Sequence, residues 1–296
     1  MLSTHDRPAL KAAAKESLRS AKERGVPVTL VTVVYLLMVL VPAVISGLQY
    51  RAVTTQLLPQ LQMMNPSSPE EAMELLSMMR GYSASGGYSL AMLLLSVVLA
   101  VVGVGYQLYT LRISRGEDPG SVGALFDPFR QFGRFFVVLL LQGLFPFLWY
   151  LAGLIPGIIL IVIGAASELP GLSILGGLLF FAGFILFIIA VYSYSQAVYF
   201  ALDNPDMSAT NTLRASKQAM RGHKWEYFVL ELSFLGWAIL TGLTFGILSI
   251  WVYPYQFTTF ANYYNALTGW QPAAEGAETA PAAAGAPEKE PEWWEK

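Results

Sequence analysis

Five polar side chains set inside long apolar runs are the residues of this chain best suited to chemistry. They lie between five and eight residues from the charged or polar boundary of their runs: Gln107, Gln142, Gln196, Glu231 and Asn262. A helix rising about 1.5 Å per residue would carry them ~8–12 Å inward. Because polar groups are costly against lipid, we expect them to point inward, where they hydrogen-bond one another or line a cavity open to the cytoplasm. Glu231 would then be a candidate proton or cation site.

The sequence leaves a second interpretation of these five residues open. Polar side chains near the ends of membrane helices also extend along the helix towards the water boundary, where they need no partner. The two interpretations differ in geometry, since only the first requires Glu231 and the amides to converge on one interior space.

Four basic residues recur at helical spacing just before the apolar run that contains Glu231. They fall at offsets 0, 3, 7 and 10, on one face of a helix, and we call them the basic stripe: Arg214, Lys217, Arg221 and Lys224. Ser208 is suited to cap this helix and Gly222 to end it. The pattern predicts a helix at the membrane surface, with the basic stripe among anionic lipid head groups.

An amphipathic helix is also predicted near the start of the chain. Asp6 is suited to its N-cap, and Gly25 and Pro27 to its end. Its apolar stripe lies beside basic positions and consists of Leu10, Ala14, Leu18 and Ala21. We expect residues 1–27 to form a cytoplasmic interfacial helix on anionic lipid. A solvated, alanine-rich leader is the alternative.

Composition places these elements in an all-α polytopic membrane protein. Hydrophobic residues make up 55% of the 296 residues, charged residues only 13%, and the mean hydropathy is +0.50. Several apolar runs exceed 20 residues, enough to span a bilayer as helices. We predict about six transmembrane helices within residues 28–268, accompanied by cytoplasmic interfacial amphipathic helices. Residues 49–87 form an extracytoplasmic segment, and residues 269–296 a disordered Ala/Pro/Glu-rich tail.

The distribution of Lys and Arg predicts the orientation of the spans. There are six Lys and Arg residues before the first run, two in residues 49–87, four in residues 112–134, four in residues 203–225 and two in the tail. The short turns at 167–171 and 244–246 contain no Lys or Arg. Under the positive-inside rule, this alternation places both termini in the cytoplasm. A cytoplasmic amphipathic segment would thus precede a two-span hairpin three times, at roughly 7–111, 119–202 and 208–268.

The run from 135 to 202 is the least certain part of this topology. Each half has about 31 or 32 residues, close to 47 Å as a helix, against a hydrocarbon core of ~30 Å. Helices kinked at Pro146 and Pro156 and helices that project beyond the bilayer both fit this length, whereas an additional span is disfavoured because it would place the basic stripe outside.

Several motifs resemble the bacterial membrane family called domain of unknown function 975. The late part carries most of them, at Ala215-Ser216, Met220, Gly222, Lys224, Phe228, Leu232 to Trp237, Gly246-Ile247, Trp251, Pro254-Tyr255 and Tyr263-Tyr264. Earlier ones are Leu125-Phe126, Leu148-Trp149 and Ile155 to Ile158. The resemblance covers about residues 112–268. It implies a multi-pass protein of a bacterial plasma membrane with no established activity, similar to the non-catalytic membrane portion of glycerophosphodiester phosphodiesterases.

Three function classes follow from these observations. The first is a non-enzymatic protein that acts in lipid or envelope organisation or supports a partner. The second is a small-solute permease or export component that uses Glu231. The third, a membrane-embedded enzyme, is disfavoured because HExxH and GxSxG motifs are missing from the sequence.

The expected ligands follow from the same composition. With no cysteine and only two histidines, we predict no metal site and no cofactor. The expected partners are anionic membrane lipids and a second copy or another membrane protein, and no nucleic acid.

Overall fold

The computed structural model describes residues 3–63, 73, 77 and 86–270, and the described part of the chain is helical without strands. In chain order its helices are α1 (Arg7–Glu23), α2 (Val28–Met63), α3 (Gly86–Arg115), the 3₁₀ helix η1 (Val122–Gln131), α4 (Phe132–Ala166), α5 (Pro170–Tyr194), α6 (Ala197–Asp203), α7 (Ala209–Ala219), α8 (Lys224–Leu232), α9 (Leu235–Leu243) and α10 (Ser249–Thr268). A short amphipathic helix comes before each of three groups of helices: α1 before α2 and α3, η1 before α4 and α5, and α7 before α8, α9 and α10.

Five segments are long and apolar enough to cross a membrane. They are Val28–Arg51, Ser89–Arg115, Val122–Ala166, Pro170–Asp203 and Lys224–Leu243. The all-α polytopic architecture is therefore confirmed, and the protein is embedded in a membrane. The sixth predicted span corresponds to α10, a helix of 20 residues that is absent from this set.

Helix α10 is less apolar because much of it is buried against protein. Asn262, Asn265 and Thr258 are among its buried residues, and they have neighbours on other helices to contact. Helices α1, α2 and α3 pack around it. A helix in this central position can carry polar side chains that a lipid-facing helix could not.

Helices α4 and α5 form a long hairpin held together by glycines. A Cβ atom built on Gly183 would lie 2.7 Å from the Cα atom of Gly153, and one built on Gly157 would lie 2.9 Å from the carbonyl oxygen of Gly176. Small residues at such positions let the two backbones approach closely. Pro146 and Pro156 both lie within α4. Residues 135–202 therefore form two long helices, α4 and α5, and most of the short α6.

Helix α1 differs from the expectation that its apolar face lies on lipid. Leu10, Ala14 and Ala21 are fully buried against other helices of the protein. The Asn262 Nδ2 atom donates to the Leu10 carbonyl oxygen at 3.3 Å and ties α1 to α10. The predicted cap is confirmed, since Asp6 Oδ1 accepts from the Ala9 backbone N–H at 3.0 Å. The apolar stripe serves packing within the protein, and the basic positions beside it remain at the surface.

Two predicted boundaries change or cannot be checked. The first apolar run was expected to end at residue 48, but α2 continues through Met63. The rest of the 49–87 segment up to residue 85 falls outside the described residues, apart from Met73 and Ser77. The tail lies outside them from residue 271 onward.

Candidate functional site

Glu231 lies on α8 in an aromatic environment with one hydroxyl donor. The Tyr192 hydroxyl of α5 donates to Glu231 Oε2 at 2.8 Å. The Tyr192 ring also meets Tyr227 and Phe228 edge to face, with centroids 6.2 and 5.8 Å apart. The Glu231 carboxylate is half-buried and therefore loses part of its hydration in the folded protein. The hydrogen bond from the Tyr192 hydroxyl replaces some of the lost contacts with water.

Gln196 lies close by at the junction of α5 and α6 and is fully buried. Its backbone N–H donates to Ser216 Oγ at 3.2 Å, and its side-chain Nε2 donates to Ser195 Oγ at 3.1 Å. Its Oε1 atom is buried without a hydrogen-bond partner among the described residues. Tyr227 lies near both Gln196 and Glu231, so two of the five predicted residues share a neighbour.

The other three predicted residues have separate surroundings. Asn262 is 2% exposed and holds α1, as described above. Gln142 on α4 has a buried Oε1 atom without a partner in the described structure, and Gln107 on α3 is partly buried. Within the described residues, no hydrogen bond joins any two of the five side chains. Convergence of all five on one cavity therefore stays a prediction.

The basic stripe is presented outward on α7, the turn after it and the start of α8; the predicted helix ends earlier than expected, because α7 stops at Ala219 and Arg221 lies in the turn. Arg214, Lys217 and Arg221 are exposed and Lys224 is partly exposed, whereas the opposite face of α7 is buried. The predicted cap is present, because Ser208 Oγ accepts from the Asn211 backbone N–H. The packing of the buried face leaves the basic stripe directed away from the protein.

A cleft of about 490 Å³ opens beside the basic stripe. Arg221 and Gln218 line it, and its walls also include Phe200 and Leu267. The Gln218 Oε1 atom is buried and has no hydrogen-bond partner among the residues described. None of the five polar residues predicted from the apolar runs lines this cleft.

A partly buried ion pair at the same end of the bundle was missed by the sequence analysis. Arg115 binds Asp203 through two parallel contacts, Nη1 to Oδ1 at 2.7 Å and Nη2 to Oδ2 at 2.8 Å. The Tyr264 hydroxyl donates to the same carboxylate at 2.9 Å, and Arg115 Nε donates to Asn265 Oδ1 at 3.0 Å. These contacts join the ends of α3, α6 and α10. In the sequence, both charges mark only the ends of apolar runs.

The N-terminal segment is anchored on α8 by further polar contacts. His5 Nδ1 and His223 Nδ1 each lie 3.2 Å from an oxygen of Glu226. The Lys11 ammonium donates to the Ser233 carbonyl oxygen at 3.3 Å and lies 4.4 Å from the centroid of the Phe234 ring. Burial lowers the pKa of Lys11, and the nearby positive charges of α1 add to this effect. In the described part of the chain, no group of three His, Cys, Asp or Glu residues is arranged to hold a metal ion.

Comparison with known proteins identifies a family over nearly the whole described chain. The family described as "Protein of unknown function (DUF975)" matches residues 1–271. The chain belongs to this family. The match includes α1 to α3, which precede the motifs that carry the resemblance in the sequence. No curated protein and no solved structure matches the chain. The similarity of this DUF975 protein to glycerophosphodiester phosphodiesterases therefore stays a prediction.

Proposed function

We propose that this DUF975 protein is a non-enzymatic protein of the bacterial plasma membrane, with both termini in the cytoplasm. It holds its basic end against anionic lipid head groups and acts in lipid or envelope organisation, or supports a membrane partner. The observation that carries the proposal is the outward basic stripe, which begins on α7, where the opposite face of the helix is buried in the protein. A stripe held rigidly at the end of the bundle can contact lipid without folding first.

Replacing all four residues of the basic stripe with Gln tests this proposal. The full-length protein is reconstituted in vesicles that contain spin-labelled phosphatidylglycerol or phosphatidylcholine, and the immobilised fraction of each lipid is measured. Each near-surface charge is worth about 1 kcal/mol, so the preference for phosphatidylglycerol should fall severalfold in the variant and weaken with salt.

Four exposed basic residues of α1 provide a control with the same change in charge: Arg7, Lys15, Arg19 and Lys22. Their replacement with Gln should reduce the preference less than loss of the basic stripe. An unchanged preference in a correctly inserted stripe variant would mean that these charges only fix orientation, and the lipid role would be wrong.

A second candidate function is a small-solute permease or export component. The observation that favours it is the carboxylate of Glu231 within the candidate span Lys224–Leu243, where Tyr192 supplies one hydrogen bond. Ionisable residues in such segments commonly belong to solute or proton pathways. Glu231 does not line the cleft beside the basic stripe or either of two other described clefts, one lined by Arg112, Arg130 and Arg134 and one between α2 and α10.

A further inference from the structure

A second basic feature lies at the junction of η1 and α4, apart from the basic stripe. It is a cleft of about 350 Å³, which we call the arginine cleft. Arg112, Arg130 and Arg134 line it together with one carboxylate, Asp127. Asp206 is close enough to Arg134 to act on it electrostatically. The three arginines still leave a positive charge at the cleft wall, which favours an anionic ligand.

The three arginines differ in how far the protein occupies their donors. Arg134 is fixed by the Gln131 side chain and by the carbonyl oxygens of Asn204 and Met207. Arg112 donates to Asp127 through Nη1 alone, at 3.2 Å. Arg130 is exposed and makes no hydrogen bond within the described structure. Arg112 and Arg130 therefore have guanidinium N–H groups available, in the planar arrangement that binds phosphate oxygens.

Four phenylalanine rings on η1 and the start of α4, the elements that carry Arg130 and Arg134, predict where the membrane lies. Phe126, Phe129, Phe132 and Phe136 follow one another with centroids 5.9, 6.0 and 6.0 Å apart, and we call them the phenylalanine ladder. Phe126 is 43% and Phe132 38% exposed, at the start of the candidate span Val122–Ala166. Exposed phenylalanine rings on an amphipathic helix beside a membrane span favour the boundary between acyl chains and head groups. The ladder would thus bring the arginine cleft to the level of the lipid phosphates.

We propose that the arginine cleft binds the phosphate group of an anionic membrane lipid. Arg112 and Arg130 supply the hydrogen-bond donors, Arg134 forms a fixed wall, and the phenylalanine ladder lies against the acyl chains. This site goes beyond the proposed role of the basic stripe, because it is a discrete cleft that selects one bound lipid, whereas the stripe is an open helix face.

The test measures binding of phosphatidylglycerol to the full-length protein in a neutral detergent by native mass spectrometry. We expect one saturable site in the native protein, with phosphatidylcholine bound at least tenfold more weakly. The double variant Arg112→Gln/Arg130→Gln should weaken phosphatidylglycerol binding by at least about tenfold, since it removes charge-assisted hydrogen bonds. The control Arg7→Gln/Arg19→Gln removes the same charge from exposed positions of α1 and should change binding less than twofold.

The single variant Arg130→Gln separates loss of binding from loss of folding, because this exposed side chain makes no hydrogen bond among the described residues. It should still weaken phosphatidylglycerol binding severalfold. Equal losses in the double variant and its control, equal binding of phosphatidylcholine, or full binding by the double variant would each overturn the proposal. Inorganic phosphate that displaces phosphatidylglycerol at millimolar concentration would assign the cleft to a soluble phosphate and overturn the lipid assignment. The quadruple Gln variant of the basic stripe should retain this single site, so the two proposals can fail separately.

Discussion

Replacing Asp203 with Asn should destabilise the end of the bundle where α3, α6 and α10 meet. Both oxygens of this carboxylate bind the Arg115 guanidinium, and the Tyr264 hydroxyl adds a third contact. The Arg115 side chain is only 10% exposed, and that of Asp203 is 25% exposed. Asp203→Asn would keep the shape of the side chain but leave Arg115 with an uncompensated charge.

The size of the effect follows from this burial. The pair is partly buried, between a buried pair, where removing one partner costs about 3–5 kcal/mol, and an exposed pair worth up to about 1 kcal/mol, so the expected loss is about 2 kcal/mol. Tyr264→Phe removes one hydrogen bond to a charged group and should cost about 1.5 kcal/mol. The double variant Arg115→Leu/Asp203→Leu removes both charges and should therefore cost less than Asp203→Asn alone.

The assay is reversible unfolding of the full-length protein in mixed detergent micelles with increasing sodium dodecyl sulfate, followed by tryptophan fluorescence. Arg19→Gln provides a control, because Arg19 and its partner Glu23 form an exposed pair on α1 worth less than about 1 kcal/mol. A double Leu variant that is less stable than Asp203→Asn, or an unchanged free energy of unfolding in Asp203→Asn, would refute the reasoning.

The remaining predictions concern three other contacts. Gly183→Ala should lower the free energy of unfolding by about 1–3 kcal/mol in the same assay, because the new Cβ atom would lie 2.7 Å from the Gly153 Cα atom. Gly177→Ala should not destabilise the protein, because no atom lies within 4 Å of the added Cβ. Equal effects of the two changes would contradict the close packing of α4 and α5. Leu10→Ala should cost 2–5 kcal/mol and expose α1 to protease, and no change in detergent would mean that α1 does not depend on packing. Glu231→Gln should leave insertion and solute flux into vesicles unchanged, and a loss of flux in a normally inserted variant would favour the permease.

The sequence was sufficient for the class of fold and for much of its local order. Apolar runs longer than 20 residues predicted the membrane helices, and capping residues predicted where α1 and α7 begin, with Asp6 and Ser208 in the expected places. An amphipathic helix precedes a pair of long helices twice, at α1 and η1, whereas α7 precedes the short α8 and α9 and then α10. These features are determined by residues that lie close together along the chain, so their pattern can be recognised in a single sequence.

Contacts between distant segments could not be predicted in this way. Arg115 and Asp203 are 88 residues apart, and each is an ordinary charge at the end of an apolar run. The apolar stripe of α1 showed that Leu10 needed an apolar partner, but lipid and α10 satisfy that need equally well. The amide of Asn262 was expected to face other polar side chains and instead binds the α1 backbone, because position along a helix does not specify which group a side chain meets.

Labelling of single cysteines tests the central claim most directly, namely that α7 and η1 lie on the cytoplasmic side of a membrane that the chain crosses repeatedly. The native chain has no cysteine, so each introduced thiol is the only target. Ser216 is buried and unsuitable, but Ser121, Lys217 and Ser167 are exposed. A membrane-impermeant maleimide should label Ser167→Cys in intact cells, and Ser121→Cys and Lys217→Cys only after permeabilisation. Labelling of Lys217→Cys in intact cells to the level of Ser167→Cys would contradict the account.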